Sequence, residues 1–120
     1  MIRIGIIGCG SRGRGEIKNL SQFEDVQVVA ACDPVVEVRD QVADEYGIEF
    51  LYDSIEKMLD ADVIDAAFVT TPAHLNAPSA LPCLEAGIHT LMEKPPGMHV
   101  EETHQLREAA QRSGAKAMVG

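Results

Sequence analysis

A glycine-rich loop between a strand and a helix is the feature that most constrains the fold of this 120-residue chain. Residues 8–13 read GCGSRG, and the largely apolar run before them, Ile2–Ile7, predicts a buried strand. A segment of helical character follows, from about Arg14 to Phe23. A second apolar run, Val26–Cys32, ends in Asp33, about twenty residues past the loop. This setting is typical of the pyrophosphate-binding turn of a dinucleotide-binding βαβ unit.

The three glycines of the loop have different expected tasks. Gly8 lets the backbone turn sharply off the strand, because it has no Cβ. Gly10 lets the main chain approach a pyrophosphate, and Gly13 lets the helix pack closely on the sheet. The helix then begins with free N–H groups and a partial positive charge, and both favour an anion.

A local basic cluster accompanies the loop in an otherwise acidic chain. Arg12, Arg14 and Lys18 lie close together, although the whole chain has only 10 lysines and arginines. Cations near a helix N-terminus are unfavourable to the bare dipole, so a bound phosphate would explain them. The alternative interpretation is a solvated helix face.

Asp33 marks the position where the adenosine ribose is expected. A carboxylate there accepts hydrogen bonds from the ribose hydroxyls and repels a 2′-phosphate. The next residues, Pro34, Val35 and Val36, offer that phosphate no cation. The sequence therefore predicts NAD rather than NADP, with Arg12 as the one residue that could accommodate the extra phosphate. The alternative is that Asp33 is an ordinary turn residue at a strand end.

Composition narrows the class of protein. Hydrophobic residues make up 46% of the chain, enough for the core of one domain, and the net charge of −9 argues against nucleic acid and anionic membranes as partners.

No apolar run approaches the length of a membrane span, and the first strand begins at once, which predicts no signal peptide. Cys9, Cys32 and Cys83 lack C-x-x-C spacing and are expected to be buried thiols of a reducing cytoplasm.

Strands and helices alternate along the rest of the chain. Helices are predicted at about 35–46, 54–59, 76–86 and 100–112, and strands at about 49–52, 63–70, 88–92 and 116–119. Pro82 is expected to kink its helix or leave a carbonyl unpaired. Regular alternation predicts an α/β fold, a Rossmann-type doubly wound parallel sheet of strand order 3-2-1-4-5-6. Ligands of such sheets bind beyond the carboxyl ends of the strands.

Two further motifs follow the fourth and fifth strands at this ligand-binding edge. Residues 70–76 read TTPAHLN, and a Thr-Pro turn exposes hydroxyls and backbone groups; the alternative is a plain loop. Residues 93–97 read EKPPG. Lys94 could hydrogen-bond a substrate hydroxyl and assist its deprotonation if burial lowers the lysine pKa; the alternative is a surface lysine. The sequence leaves open whether the Lys94–Pro95 bond is cis or trans.

Together the strings GCGSRG, ACDP, TTPAHLNAP and EAGIHTLMEKPP resemble the nucleotide-binding half of the glucose-fructose oxidoreductase, inositol dehydrogenase and rhizopine-catabolism (Gfo/Idh/MocA) family. The resemblance covers essentially the whole chain, and the EKP motif after the AGxH strand is its specific part. It implies NAD(P)-dependent hydride transfer between a nicotinamide and a hydroxyl-bearing carbon of a sugar, cyclitol or similar small molecule.

The resemblance implies a set of site residues. Lys94 is the expected catalytic residue, near the reacting hydroxyl. Independently of the resemblance, no metal site is expected, because Glu101 and His104 have the spacing of a metal-binding pair but no further ligands. The expected cofactor-binding residues are Gly8, Cys9, Gly10, Ser11, Arg12, Gly13, Asp33, Thr70, Thr71, Pro72, His74, Asn76, Glu93, Lys94 and Pro95. Thr71, Pro72 and Glu93 are expected on the nicotinamide side. The family often has His where this chain has Asn76, which can hydrogen-bond but cannot titrate.

The resemblance also implies a second α/β domain after Gly120 that supplies most of the substrate pocket. Residues 1–120 are then the dinucleotide-binding domain alone, catalytically incomplete, and an exposed apolar face favours a homo-oligomer. A non-catalytic NAD-binding sensor or scaffold is the alternative from another class, against which the presence of Lys94 argues. Gly13 and the EKP motif disfavour a nucleoside-binding methyltransferase.

Overall fold

All six strands run parallel in one sheet of order β3-β2-β1-β4-β5-β6, which confirms the predicted α/β Rossmann topology. The computed structural model describes residues 1–120. The strands are β1 Ile2–Ile7, β2 Val26–Cys32, β3 Phe50–Tyr52, β4 Ala66–Val69, β5 His89–Met92 and β6 Ala117–Val119. The helices are α1 Ser11–Leu20, α2 Val36–Tyr46, α3 Ile55–Asp60, α4 Asn76–Glu85 and α5 Val100–Ser113, with a 3₁₀ turn at Ala73–Leu75.

The central strand divides the apolar residues between two clusters. Successive side chains of a strand point to opposite faces of the sheet. Ile6 accordingly packs in the cluster that holds Ile17 of α1. Ile7 packs in the larger cluster, with Leu84 of α4 and Leu106 of α5. Because helices cover both faces, the middle strands are continuous apolar runs, as the sequence predicted.

The first helix begins earlier than predicted and ends earlier as well. Gly10 is its N-cap, and the N–H of Arg14 donates to the Gly10 carbonyl at 2.9 Å, so the last residues of the glycine loop form the first helical turn. The helix ends at Leu20, three residues before the predicted Phe23. The first turn, and not a separate loop, therefore faces the ligand-binding edge.

The fourth strand is shorter than predicted, since it begins at Ala66 and ends at Val69. Just before it, the Asp65 carboxylate accepts the Arg3 backbone N–H at 2.8 Å and the Arg3 guanidinium at 2.9 Å. These hydrogen bonds lower the pKa of Asp65 to about 2. The side chain thus reinforces the backbone pairing of Asp65 N–H with the Arg3 carbonyl, 2.7 Å, at the entrance to the strand.

Helix α4 continues through Pro82. Because proline has no N–H, Pro82 cannot donate the usual helical hydrogen bond to the carbonyl of Pro78. No helix of the chain is both long and apolar enough to cross a bilayer.

Candidate functional site

A cleft opens at the carboxyl edge of the sheet, where the strand ends meet because all strands are parallel. Its volume is about 690 Å³, within the usual range for a small-molecule site. Among the residues predicted to bind cofactor, those that line the cleft are Gly8, Gly10, Ser11, Arg12, Asp33, Thr70, Thr71 and Pro72. The others do not line it: Cys9, Gly13, His74, Asn76, Glu93, Lys94 and Pro95.

The glycine loop forms the floor of the cleft, and its geometry requires glycine at two positions. Gly8 has a φ of +94°, and a Cβ there would lie 2.7 Å from the Thr70 carbonyl oxygen. A Cβ on Gly13 would collide with the Gly8 carbonyl oxygen and would lie 3.0 Å from Thr70 Oγ1. These two positions let β1, the loop and α1 pack against β4 without space between them.

The N-terminus of α1 is open toward the cleft. Gly10 caps the helix without a side-chain hydrogen bond, and the first turn carries no acidic residue. The first N–H groups of a helix have no partner within it and carry the positive end of the helix dipole. Nothing lies within 4 Å of the place that a Cβ of Gly10 would occupy. An anion such as a pyrophosphate therefore has both donors and room here.

The Asp33 carboxylate joins the end of β2 to the glycine loop. Its Oδ2 accepts the backbone N–H of Cys9 at 2.9 Å, and its Oδ1 accepts the N–H of Val35 at 2.9 Å. Each carboxylate oxygen has two acceptor sites, so one site on each remains for a ribose hydroxyl. Asp33 thus fixes the loop and keeps the capacity to bind a diol.

Thr70 links the end of β4 to the same loop. Its buried hydroxyl lies 2.7 Å from the Gly8 carbonyl oxygen and 3.1 Å from that of Ile7. One hydroxyl hydrogen shared between two carbonyls holds β4 against β1 at the floor of the cleft. The next residue, Thr71, lines the cleft and donates its hydroxyl to Asn76 Oδ1 at 2.9 Å.

The EKP segment lies beside the cleft, past the end of β5. Glu93 is mostly buried and pairs with Arg12 of the glycine loop, Oε1 to Nε, at 3.6 Å. Lys94 is exposed and forms no ion pair, and the Lys94–Pro95 bond is cis. His74 is also exposed, on the 3₁₀ turn. The sequence did not predict that Glu93 pairs with Arg12, because their contact depends on the assembled edge of the sheet.

The cleft includes residues that sequence reasoning missed. They are Ile7, Cys32, Val38, Asp53, Ser54, Ile55, Leu75 and Ser79, together with Pro34 and Val35, which the sequence analysis named only as neighbours of Asp33. Asp53 and Ser54 follow β3, which lies next to β2, so the rule of carboxyl strand ends could have found them. The Lys57 ammonium lowers the pKa of Asp53 by hydrogen bonding. Asp53 and Ser54 extend the cleft beyond Asp33, along the end of β3.

A cation near the ribose position was also missed. The Arg39 guanidinium lies 3.4 Å, Nη1 to O, from the Asp33 carbonyl, and its buried Nε has no hydrogen-bond partner. Arg39 follows Asp33 by less than two helical turns, on α2. The prediction of NAD rested on residues 34–36, which include no cation. Arg39 lies further along the chain, and helix α2 places it beside the Asp33 carbonyl.

The three thiols are buried, as predicted from their spacing. Burial, more than any nearby charge, raises the pKa values of Cys9, Cys32 and Cys83 to about 12. The carboxylate of Asp33 adds to the effect at Cys9 and Cys32. Although Cys9 belongs to the glycine loop, its sulfur points inward, 3.7 Å from the Cys32 carbonyl oxygen.

We therefore expect the folded chain to resist thiol alkylation at about pH 8, because the reactive thiolate is scarce and shielded. Iodoacetamide followed by intact mass should add no label to the native chain within the time that labels all three thiols in urea. Rapid single labelling of native Cys9 would contradict the expectation.

A parallel sheet of this order, with a glycine turn and an acid at the end of β2, defines a dinucleotide-binding Rossmann domain. The chain matches the model of an oxidoreductase family with an NAD-binding Rossmann fold over residues 2–120, and it belongs to this Gfo/Idh/MocA family. The resemblance found in the sequence motifs is thereby confirmed.

Curated and solved relatives agree with this assignment. A glycosyl hydrolase family 109 protein of Shewanella woodyi is 35% identical over 98% of the chain and 27% of its own length. A scyllo-inositol dehydrogenase from Lactobacillus casei, solved with NAD(H) and scyllo-inositol, has a TM-score of 0.93 at 26% identity, covering 100% of this chain and 36% of that one.

A WlbA dehydrogenase from Bordetella pertussis, solved with NADH and UDP-GlcNAcA, has a TM-score of 0.93 at 28% identity over 99% of this chain and 36% of that one. The chain thus spans about a third or less of the length of the relatives that it matches.

Proposed function

We propose that the cleft binds NAD in an extended conformation along the edge of the sheet. The open N-terminus of α1 beside the Asp33 carboxylate is the observation that carries this proposal. The diphosphate would lie on the first turn of α1, and the adenosine would lie toward Asp33 and Asp53. Since β4 and β5 lie on the other side of β1, the nicotinamide would face Thr71 and the EKP segment.

The charges on the adenosine side favour NAD over NADP. The Asp33 carboxylate lies where the 2′-hydroxyl would be, and Asp53 lines the same part of the cleft. Two carboxylates repel a 2′-phosphate. Two cations lie in this region: Arg12 lines the cleft but pairs with Glu93, and Arg39 contacts the Asp33 carbonyl and does not line the cleft.

The reaction that fits this arrangement is hydride transfer at a hydroxyl-bearing carbon of a sugar, cyclitol or similar small molecule. The bound nicotinamide supplies the hydride acceptor. Lys94 is exposed in this chain and forms no ion pair, so the burial on which its role depends would have to come from the bound coenzyme, the substrate and the rest of the protein. Enclosed in this way, its side chain would hydrogen-bond the substrate hydroxyl and assist the departure of its proton. Glu93, held by Arg12, would close the nicotinamide side.

Glycoside cleavage is a second candidate, because the curated relatives matched over 98–99% of the chain are named glycosyl hydrolases. The two candidates differ in their net chemistry. Polyol oxidation yields one NADH for each product, whereas glycoside hydrolysis yields no net NADH. Parallel assays with polyols and with aryl glycosides therefore distinguish them.

The remaining parts of the proposal concern the whole protein. Because the relatives are about three times longer, we infer that substrate-recognition residues belong to a second domain and that residues 1–120 bind cofactor without turnover. A homo-oligomer in the cytoplasm is part of the same inference. Met118 and Val119 of the outer strand β6, 63% and 48% exposed, offer an apolar surface for such association.

Calorimetric titration of the chain tests the central proposal. We expect one equivalent of NAD to bind with a Kd on the order of 10–100 μM, and NADP to bind at least about tenfold more weakly. The physical reason is the fit of the diphosphate to α1 and the repulsion of a 2′-phosphate by Asp33. Folded material that binds neither coenzyme at millimolar concentration would overturn the proposal, and equal NADP binding would remove its specificity.

A further inference from the structure

We propose that Asn76 is a positioning residue that holds the Lys94 segment against Thr71 and so forms the nicotinamide end of the cleft. The inference rests on the proposed binding of NAD. Asn76 is the first residue of α4 and is completely buried. It therefore acts through the groups that it contacts and does not itself reach the cleft.

The Asn76 amide uses both of its donor hydrogens and one acceptor site. Its Oδ1 accepts the Thr71 hydroxyl at 2.9 Å. Its Nδ2 donates to the carbonyl oxygens of Glu93 at 3.0 Å and Pro95 at 2.9 Å. One side chain thus joins the segment after β4 to the segment after β5.

The two carbonyls that Asn76 binds lie on either side of Lys94. The backbone before and after the lysine is therefore fixed by the same buried amide. Lys94 itself is exposed and forms no ion pair, so its place depends on this backbone. The Arg12–Glu93 pair also reaches the segment, but it is longer, at 3.6 Å, and Arg12 is 65% exposed.

The pattern of one acceptor and two donors suits an amide in particular. A carboxylate of the same shape could still accept from Thr71 but would present oxygen to both carbonyls. A neutral imidazole offers one donor and one acceptor and would leave one carbonyl without a partner. A buried polar group without a partner costs free energy. We therefore expect the three hydrogen bonds of Asn76 to form together and to hold the two segments in place.

This geometry separates the two ends of the coenzyme. The proposed diphosphate and adenosine contacts lie on the first turn of α1 and at the ends of β2 and β3, whereas Asn76 joins the segments after β4 and β5. ADP-ribose is NAD without the nicotinamide ring. Loss of the Asn76 hydrogen bonds should therefore weaken NAD binding while leaving ADP-ribose binding nearly unchanged.

The test compares NAD and ADP-ribose binding by calorimetry for the wild-type chain, Asn76→Asp and Asn76→Ser. Asn19→Asp, at an exposed position of α1, is the matched control for the same chemical change. We expect NAD to bind the wild-type chain more tightly than ADP-ribose. Both Asn76 variants should lose about tenfold in NAD affinity and less than about twofold in ADP-ribose affinity.

NADH fluorescence gives an independent readout, because the chain has no tryptophan to interfere. The change in nicotinamide emission on binding should be present in the wild-type chain and Asn19→Asp and absent in both Asn76 variants. A variant that merely lost stability would bind both ligands less well in proportion to its unfolded fraction. If Asn76→Asp does not fold, Asn76→Ser decides the question.

The proposal is overturned if the affinities for NAD and ADP-ribose fall together, if neither falls, or if wild type binds the two equally. Failure of the proposed function looks different, because the wild-type chain would then bind neither NAD nor ADP-ribose.

Discussion

Substitution of Gly13 by alanine is expected to destabilise the chain by at least about 3 kcal/mol and to abolish binding of NAD. The new Cβ would collide with the Gly8 carbonyl oxygen and would crowd Thr70 Oγ1 at 3.0 Å. Neither neighbour can yield easily. The carbonyl is backbone of the left-handed Gly8 turn, and the Thr70 hydroxyl is hydrogen-bonded to the carbonyls of Ile7 and Gly8.

Gly15 provides a control in the same helix. Nothing lies within 4 Å of the Cβ that Gly15→Ala would add, and the residue is exposed. Alanine is favoured over glycine in a helix interior by about 1 kcal/mol, so this variant should be more stable than wild type. Chemical denaturation measures both free energies of unfolding, and titration measures NAD affinity. Equal effects of the two substitutions would show that α1 does not pack on the loop as described.

The fold could be predicted from the sequence because its signals are local. Apolar runs such as Ile2–Ile7 and Val26–Cys32 predict buried parallel strands by themselves. The helical connections between such strands are short and right-handed, so few strand orders are possible. The ends of elements were predicted less well. Helix α1 begins at Ser11 because Gly10 already caps it, and no side-chain signal in the sequence marks a glycine cap.

The candidate site could be predicted only where a residue type of known chemistry lies at or just after the end of a predicted strand. Gly8, Gly13 and Asp33 occupy positions whose geometry follows from one βαβ unit, and the structure places them as that geometry requires. Asp53 lies in the cleft because β3 is next to β2 in the sheet. Arg39 contacts the Asp33 carbonyl because helix α2 places it there. Such contacts depend on the assembled fold.

Asn76 illustrates a different limit. Its residue type indicates only that it can hydrogen-bond, and the family resemblance placed it among the expected cofactor-binding residues. The fold instead buries it and pairs all of its amide hydrogens with the carbonyls of Glu93 and Pro95. Whether a polar side chain contacts a ligand or other protein groups depends on its burial. A single sequence does not reveal burial at the boundary between a loop and a helix.

Replacement of Asp33 by asparagine is expected to lower NAD affinity at least about tenfold and to remove the preference for NAD over NADP. The carboxylate accepts the N–H groups of Cys9 and Val35, one on each oxygen. An amide has one oxygen only, so its NH₂ group would face one of these backbone donors. Hydrogen bonds to a charged group are worth about 1.5–3 kcal/mol, which sets the expected loss.

The second half of this expectation concerns charge. NAD and NADP differ only in the 2′-phosphate, so any distortion of the glycine loop weakens both coenzymes alike. Removal of the carboxylate also removes its repulsion of that phosphate, and the half-buried Arg39, which contacts the Asp33 carbonyl, remains nearby. The ratio of the NADP and NAD dissociation constants should therefore fall about tenfold or more in Asp33→Asn.

Parallel titrations of Asp33→Asn and Asp25→Asn with both coenzymes measure this ratio. Asp25 is exposed in the turn before β2, and its side chain makes no hydrogen bond or ion pair, so the control changes net charge by the same amount at a site remote from the cleft. A ratio that stays at its wild-type value in Asp33→Asn would mean that the ribose does not lie against this carboxylate. Equal changes in both variants would instead indicate a general effect of net charge, since only the first carboxylate touches the glycine loop.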